Sequence, residues 1–179
     1  LTITILGDNE APVAQDDVGV IEENSTLTVS DGANANVTDT YDATGEHSGD
    51  VIHTSSTTHQ DTDIDVETLT VTAVRKGSVE GSGDAGTVGQ ALTGTYGQLT
   101  LNANGSYTYV ANQAAAEALD VGDTVTDSFN YTVTDGALTD TAVITIKVFG
   151  VNDTPVAQDD VGVIYENSTL TVSDGDNAT

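Results

Sequence analysis

Three aspartates at alternate positions, Asp61, Asp63 and Asp65, stand in the string QDTDIDVETLT, directly before a strand-like run. In an extended segment alternate residues point the same way. In a loop, this spacing lets one cation draw the carboxylates together. Three like charges so close disfavour being ionised together without a cation. Carboxylate and carbonyl oxygens are hard ligands, and hard ligands suit calcium. An EF-hand loop is excluded, because its sixth position would be Val66 and not Gly, and its twelfth Thr72 and not Glu. The competing reading is a solvated acidic loop.

Further oxygen donors flank two X-Pro steps. Asn9 and Glu10 precede Pro12, and Asn152 and Asp153 precede Pro155. Proline pushes the residue before it toward extended geometry, which favours a taut junction. Asn and Asp side chains there can bind a cation shared by two domains; ordinary turn polarity is the alternative. Glu23 recurs as Glu166, whereas Glu22 is answered by Tyr165, so Glu23 is the better ligand candidate of the two. Asp16 and Asp17 recur as Asp159 and Asp160. Adjacent strand residues face opposite ways, so only one of each pair serves a given cation, and Asp17 is carried as that candidate. Asp135 precedes Gly136 and reads on its own as a turn. Asp120 and Asp123 read as solvated loop residues.

The charge balance points the same way. The chain has 29 acidic residues against three basic ones, for a net charge of −26. Arg75, Lys76 and Lys147 cannot neutralise that many carboxylates. Such a field repels nucleic acid and anionic lipid, so neither is expected as a partner. No apolar run approaches the roughly 20 residues of a membrane span, and direct membrane insertion is not expected.

Enzyme chemistry finds little support. His47, His53 and His59 show no HxH or HExxH spacing, there is no Cys, and the histidines read as exposed loop residues. No G-x-S-x-G, Walker or dinucleotide loop is present, nor the glycine-rich nonapeptide of a calcium β-roll. Without cysteine, stability must come from the core, metal or neighbours.

The elements that position these residues repeat. Asn9 to Asn36 matches Asn152 to Thr179 at 23 of 28 positions, at an offset of 143 residues. Ile3-Thr4-Ile5-Leu6-Gly7 answers Ile146-Lys147-Val148-Phe149-Gly150 at the same offset. Such near-identity is the signature of a tandem array. The division expected is 1–8 as the last strand of a preceding repeat, 9–151 as one complete β-sandwich repeat, and 152–179 as the start of the next. The chain opens mid-strand and reads as an excised fragment.

Alternation of apolar and polar residues predicts strands at Val18–Ile21, Thr26–Ser30, Leu69–Val74, Gln98–Asn102, Ser106–Ala111, Phe129–Thr134 and Ala142–Phe149. Asn104-Gly105 is a strong hairpin signal. An Ala-rich stretch predicts one short helix over Gln113–Leu119, with Gly122 shortly beyond it. Residues 31–60 and 77–90 lack periodicity and read as long loops. About seven short strands separated by turns argue for a sandwich.

The strings NDTPVAQDD, DTDIDVETLTVTAVRKG, ALTGTYGQLTLNANGSYTYVANQAAAEALDVGDTVTDSFNYTVTDG and TDTAVITIKVFGVND resemble the VCBS repeat of giant, cadherin-like, RTX-type bacterial adhesins. The likeness covers nearly the whole 143-residue unit and weakens at 31–60, which looks like a variable insertion. It implies an all-β, cadherin-like or immunoglobulin-like Greek-key sandwich, type I secretion, and calcium at domain junctions. Carried over, it places Asp61, Asp63 and Asp135 at the leading end, facing Asn9 and Glu10. Glu23 lies at the trailing end, facing Asn152 and Asp153. The linker lacks the fuller acidic motif of cadherins.

The function expected is therefore a calcium-stiffened extender repeat of a cell-surface adhesin, extracellular, monomeric, with neighbouring repeats of the same chain as its partners. The alternative is an extracellular polysaccharide-binding or homophilic adhesion module, for which Tyr41 and Tyr96 are the loop aromatics available.

Overall fold

A computed structural model describes residues 1–4, 6–32, 49–53 and 58–172. Its strands are β1 (Asp17–Glu22), β2 (Thr26–Val29), β3 (Thr70–Lys76), β4 (Ala91–Thr93), β5 (Gln98–Leu101), β6 (Tyr107–Val110), β7 (Thr124–Thr134) and β8 (Thr139–Phe149). They form two four-stranded sheets, ordered β1-β8-β7-β3 and β2-β6-β5-β4. β1 lies parallel to β8, with Asp17 opposite Ile144 and Glu22 opposite Phe149. Every other pairing is antiparallel.

The core follows from alternation. Phe129, Tyr131 and Val133 point inward from β7, and Ala142, Ile144, Ile146 and Val148 from β8. Leu99, Leu101, Tyr107 and Tyr109 meet them from the second sheet. The Tyr109 and Phe129 rings pack edge-on, with centroids 6.3 Å apart, an arrangement their quadrupoles favour.

All seven expected strands are present, and β4 is an eighth. Its three residues are exposed or half-buried, too short to show an alternating pattern. The expected helix is not there: Gln113–Leu119 is a run of turns, closed by Ala116 N–H to Gln113 O at 2.8 Å and Leu119 N–H to Ala116 O at 3.0 Å. A seven-residue stretch is marginal as a helix on its own, so tertiary packing decides its shape. Burying Ala116 and Leu119 fixes the turns instead.

The 31–60 stretch also differs from a plain surface loop where it is described. Val51 and Ile52 are buried in the core, and Val51 N–H donates to Gly105 O at 3.1 Å. An apolar pair inside a polar run carries no period, so alternation could not reveal it. Within 77–84, the buried Asn130 side chain accepts from Gly81 N–H and donates to Gly77 O and Ser82 O, each at 3.0 Å.

Candidate metal centre

The turn after Asp61 is built by its own side chains. Asp63 Oδ1 accepts Asp65 N–H at 2.7 Å, and Val66 N–H donates to Asp63 O at 3.2 Å. Val66 takes φ 61°, a left-handed conformation that β-branched residues resist. This reversal brings Glu67 back beside Asp63.

Asp135 reaches the same place from the β7–β8 turn. Its Oδ1 caps Ala137 N–H at 2.6 Å and Leu138 N–H at 2.8 Å. One carboxylate oxygen from each of Asp63, Glu67 and Asp135 lies within 4.8 Å of the others. The linker closes over them: Asn9 Nδ2 donates to Asp135 Oδ2 at 3.0 Å, and Glu10 N–H to Asp65 Oδ2 at 3.2 Å.

Electrostatics record the crowding. Burial, then the charges of Asp135, Asp63 and Asp65, raise Glu67 above the usual carboxylate range. Its contact with the Asp65 carboxylate raises Glu10. The Ala137 and Leu138 N–H groups hold Asp135 below its ordinary value. Asp63 Oδ2 is buried and has no hydrogen-bond partner. A buried carboxylate oxygen is rarely left unpaired, and an oxygen-only donor set of this kind fits a hard divalent cation such as Ca2+. Asp63, Glu67 and Asp135 would hold it, with Asn9, Glu10 and Asp65 around them.

The other candidates fall elsewhere. Asp61 and Asp17 turn inward to the Tyr131 hydroxyl. That hydroxyl carries one proton, yet five acceptor atoms lie within 3.5 Å: Gln15 O, Asp17 Oδ2, Val51 O and both oxygens of Asp61. Burial pushes the Asp61 carboxyl up to about 7, although Gln15 N–H bonds it at 2.7 Å. Asp61 therefore braces the floor beneath the Asp63 turn and lies apart from the Asp63–Glu67–Asp135 group.

Glu23 sits at the far end of β8. The eleven residues of β8 put its ends, Thr139 and Phe149, about 34 Å apart at about 3.4 Å per step, and Glu23 N–H donates to Phe149 O at 2.8 Å. Glu23 is 1% exposed; Oε1 accepts Val151 N–H at 2.6 Å, while Oε2 is buried and unpartnered. Asn152 and Asp153 are exposed beyond it.

Glu67 was not among the sequence candidates. Its signal was its place four residues after Asp63, which brings the two together only because Val66 reverses the chain. A second group, Asp31, Asp50 and His53, also converges. His53 Nδ1 lies 3.3 Å from Asp31 and 3.6 Å from Asp50. Buried Asp50 accepts N–H from Gly32, Ile52 and His53, so it works as a loop staple. His59 Nδ1 meets Asp16 O at 2.6 Å. His47 and Tyr41 lie outside the described residues, and Tyr96 is half-buried against the core.

A family model for the bacterial cadherin-like domain matches residues 37–150. No curated protein matches the chain. Among solved structures, an endo-fucoidan hydrolase, MfFcnA4, from glycoside hydrolase family 107 is 17% identical, with a TM-score of 0.38, over 83% of this chain and 15% of that one. A likeness that weak carries no argument about fold or activity.

Proposed function

The chain belongs to the bacterial cadherin-like domain family, and from that premise we propose that it is a calcium-stiffened extender of a long cell-surface adhesin. Domains of this family are typically extracellular and non-catalytic, and they generally bind calcium. The observation that carries the reading is the buried, unpartnered Oδ2 of Asp63 on a carboxylate that converges with those of Glu67 and Asp135, beneath the Asn9–Glu10 linker.

A bound divalent cation would neutralise the cluster. The chain's own residues do the rest. Asp135 is pre-aimed by its two backbone N–H bonds, Asp63 by its turn, and Asn9 ties the incoming linker to Asp135. At the other end, Glu23 Oε2 offers a buried oxygen beside Val151, where a following domain would supply the remaining ligands. On this reading, 1–8 ends one repeat, 9–151 is a full repeat and 152–179 starts the next. Ordered linkers at both ends would hold successive sandwiches in line and project a distal binding domain from the bacterial surface.

The polysaccharide or homophilic module has weaker support, since Tyr96 packs against the core. Small-angle scattering of two tandem 143-residue units, in calcium and in chelator, tests the extender. Calcium should lengthen the maximum dimension; an unchanged dimension would refute the stiffening role.

A further inference from the structure

The segment that enters from the Asn9–Glu10 linker runs beside the segment that leads to Asp63. Val13 and Thr62 exchange backbone bonds, Val13 N–H to Thr62 O at 2.8 Å and Thr62 N–H to Val13 O at 3.0 Å. Gln15 N–H donates to Asp61 Oδ1 at 2.7 Å, and Ala14 N–H to Asp140 Oδ2 at 2.9 Å. Further out, Asn9 and Glu10 reach Asp135 and Asp65. Little apolar surface holds this pairing, since Val13 is 50% exposed and Thr62 is exposed too. Two extended segments joined by one bridge are marginal on their own. The pairing therefore needs an anchor from the core.

The Tyr131 hydroxyl is placed to be that anchor, on a fully buried side chain. Its oxygen lies 3.0 Å from Gln15 O on the entering segment, 3.0 Å from Val51 O, and 3.5 and 3.4 Å from the two oxygens of Asp61. Asp17 Oδ2 stands 2.8 Å away. One phenolic proton is thus shared among acceptors on separate segments. Without it these oxygens would crowd a ring C–H and move apart. The strand that carries Tyr131, β7, also delivers Asp135 just beyond its end. We propose that Tyr131 is a positioning residue for the leading end: its hydroxyl fixes residues 13–15 against 61–62, and so sets Asp63 and the Asn9–Glu10 linker against Asp135. Its effect on metal affinity rests on the calcium reading; the fixing of the two segments does not. Groups that orient metal ligands from behind are worth about 10–100-fold in affinity. Tyr109 makes a contrast, because its buried hydroxyl serves Asp127 and has no part in this arrangement.

Amide hydrogen exchange in chelator tests the arrangement without metal. The N–H groups of Val13, Gln15 and Thr62 report the pairing itself, through local opening. Tyr131→Phe should speed their exchange about tenfold or more. Tyr109→Phe, which removes an equally buried hydroxyl, should leave them unchanged. Asp61→Ala breaks the arrangement from its other side. It should give the same acceleration at Val13 and Thr62, and it serves if Tyr131→Phe does not fold. Calorimetric titration with calcium then reads the consequence: Tyr131→Phe should weaken binding about tenfold, and Tyr109→Phe should not weaken it. A parent that binds no calcium would refute the calcium reading, and exchange in chelator would still decide the proposal. Unchanged exchange at the three amides, equal acceleration by Tyr109→Phe, or undiminished calcium binding by Tyr131→Phe beside a parent that binds it, would overturn the proposal.

Discussion

The hydroxyl of Tyr109 on β6 donates to Oδ2 of Asp127 on β7 across 2.8 Å, tying the two sheets together inside the core. The same carboxylate accepts the N–H groups of Thr95, Tyr96 and Gly97. It folds so tightly into that turn that a Cβ on Gly94 would lie 2.1 Å from Oδ2. Burial and the Asp127 charge push the Tyr109 hydroxyl upward, so it remains a donor. Asp127→Ala strands four donors, those of Gly97 and Tyr109 buried, and should cost about 3–5 kcal/mol. Tyr109→Phe removes one charge-assisted bond and should cost about 1.5–3 kcal/mol. Urea unfolding of both single variants and the double checks this. A double variant whose loss equals the sum of the two single losses would show that the pair is not coupled.

Calcium should stabilise the fold through the Asp63–Glu67–Asp135 group. With an extracellular-type dissociation constant of about 10⁻⁴ to 10⁻³ M, about 10 mM calcium adds roughly 1.4–2.7 kcal/mol. For a domain of this size that corresponds to a rise in melting temperature of about 3–11 °C. Asp63→Asn and Asp135→Asn should each abolish most of the rise, and Glu67→Gln should weaken it. Glu23→Gln, at the other end of β8 beside Phe149, should leave the leading site's share intact. Scanning calorimetry with calcium and with chelator reads all four.

Asp61 should make stability fall as pH rises. Its native carboxyl sits at about 7, raised by burial from an ordinary value of 3.8. Between those values the folded chain binds more proton than the unfolded chain, so stability declines with increasing pH. The decline starts near 4 and levels off above about 7. In chelator, the advantage of Asp61→Asn over the parent should therefore grow from pH 4 to pH 7 and then stay constant. Melts across that range measure it, and a gap that shrinks as pH rises would contradict the assignment.

Val66→Gly should stabilise the protein. Val66 holds φ 61°, which costs a β-branched residue about 1–2 kcal/mol. The added freedom of glycine in the unfolded chain returns about 0.5–1 kcal/mol of that, leaving a net gain of about 0.5–1 kcal/mol. The neighbouring exposed Ile64, changed to Gly, should give no gain. Chemical denaturation distinguishes the two.

The strands at 70–76, 98–101, 107–110, 129–134 and 142–149 could be read directly, because half-burial imposes a period of two on their side chains. β4 and the turns at 113–119 could not, because elements this short carry no period and take their shape from what they pack against. The run of Asp61, Asp63 and Asp65 was legible as like charges that tolerate one another poorly without a cation, whereas Asp135 read on its own as a turn and only the resemblance set it opposite Asn9 and Glu10.

From sequence alone came the 143-residue repeat, the sandwich class, and the acid clusters that three basic residues cannot neutralise. These are properties of order and composition and need no coordinates. Which acid faces which neighbour was decided only in three dimensions. Asp61 and Asp63 are two residues apart, yet one is buried against Tyr131 and the other opens toward Glu67 and Asp135. The reversal at Val66 and the meeting of the β7–β8 turn with the 61–67 segment set that difference, and both depend on backbone geometry and on contacts between residues about 70 positions apart.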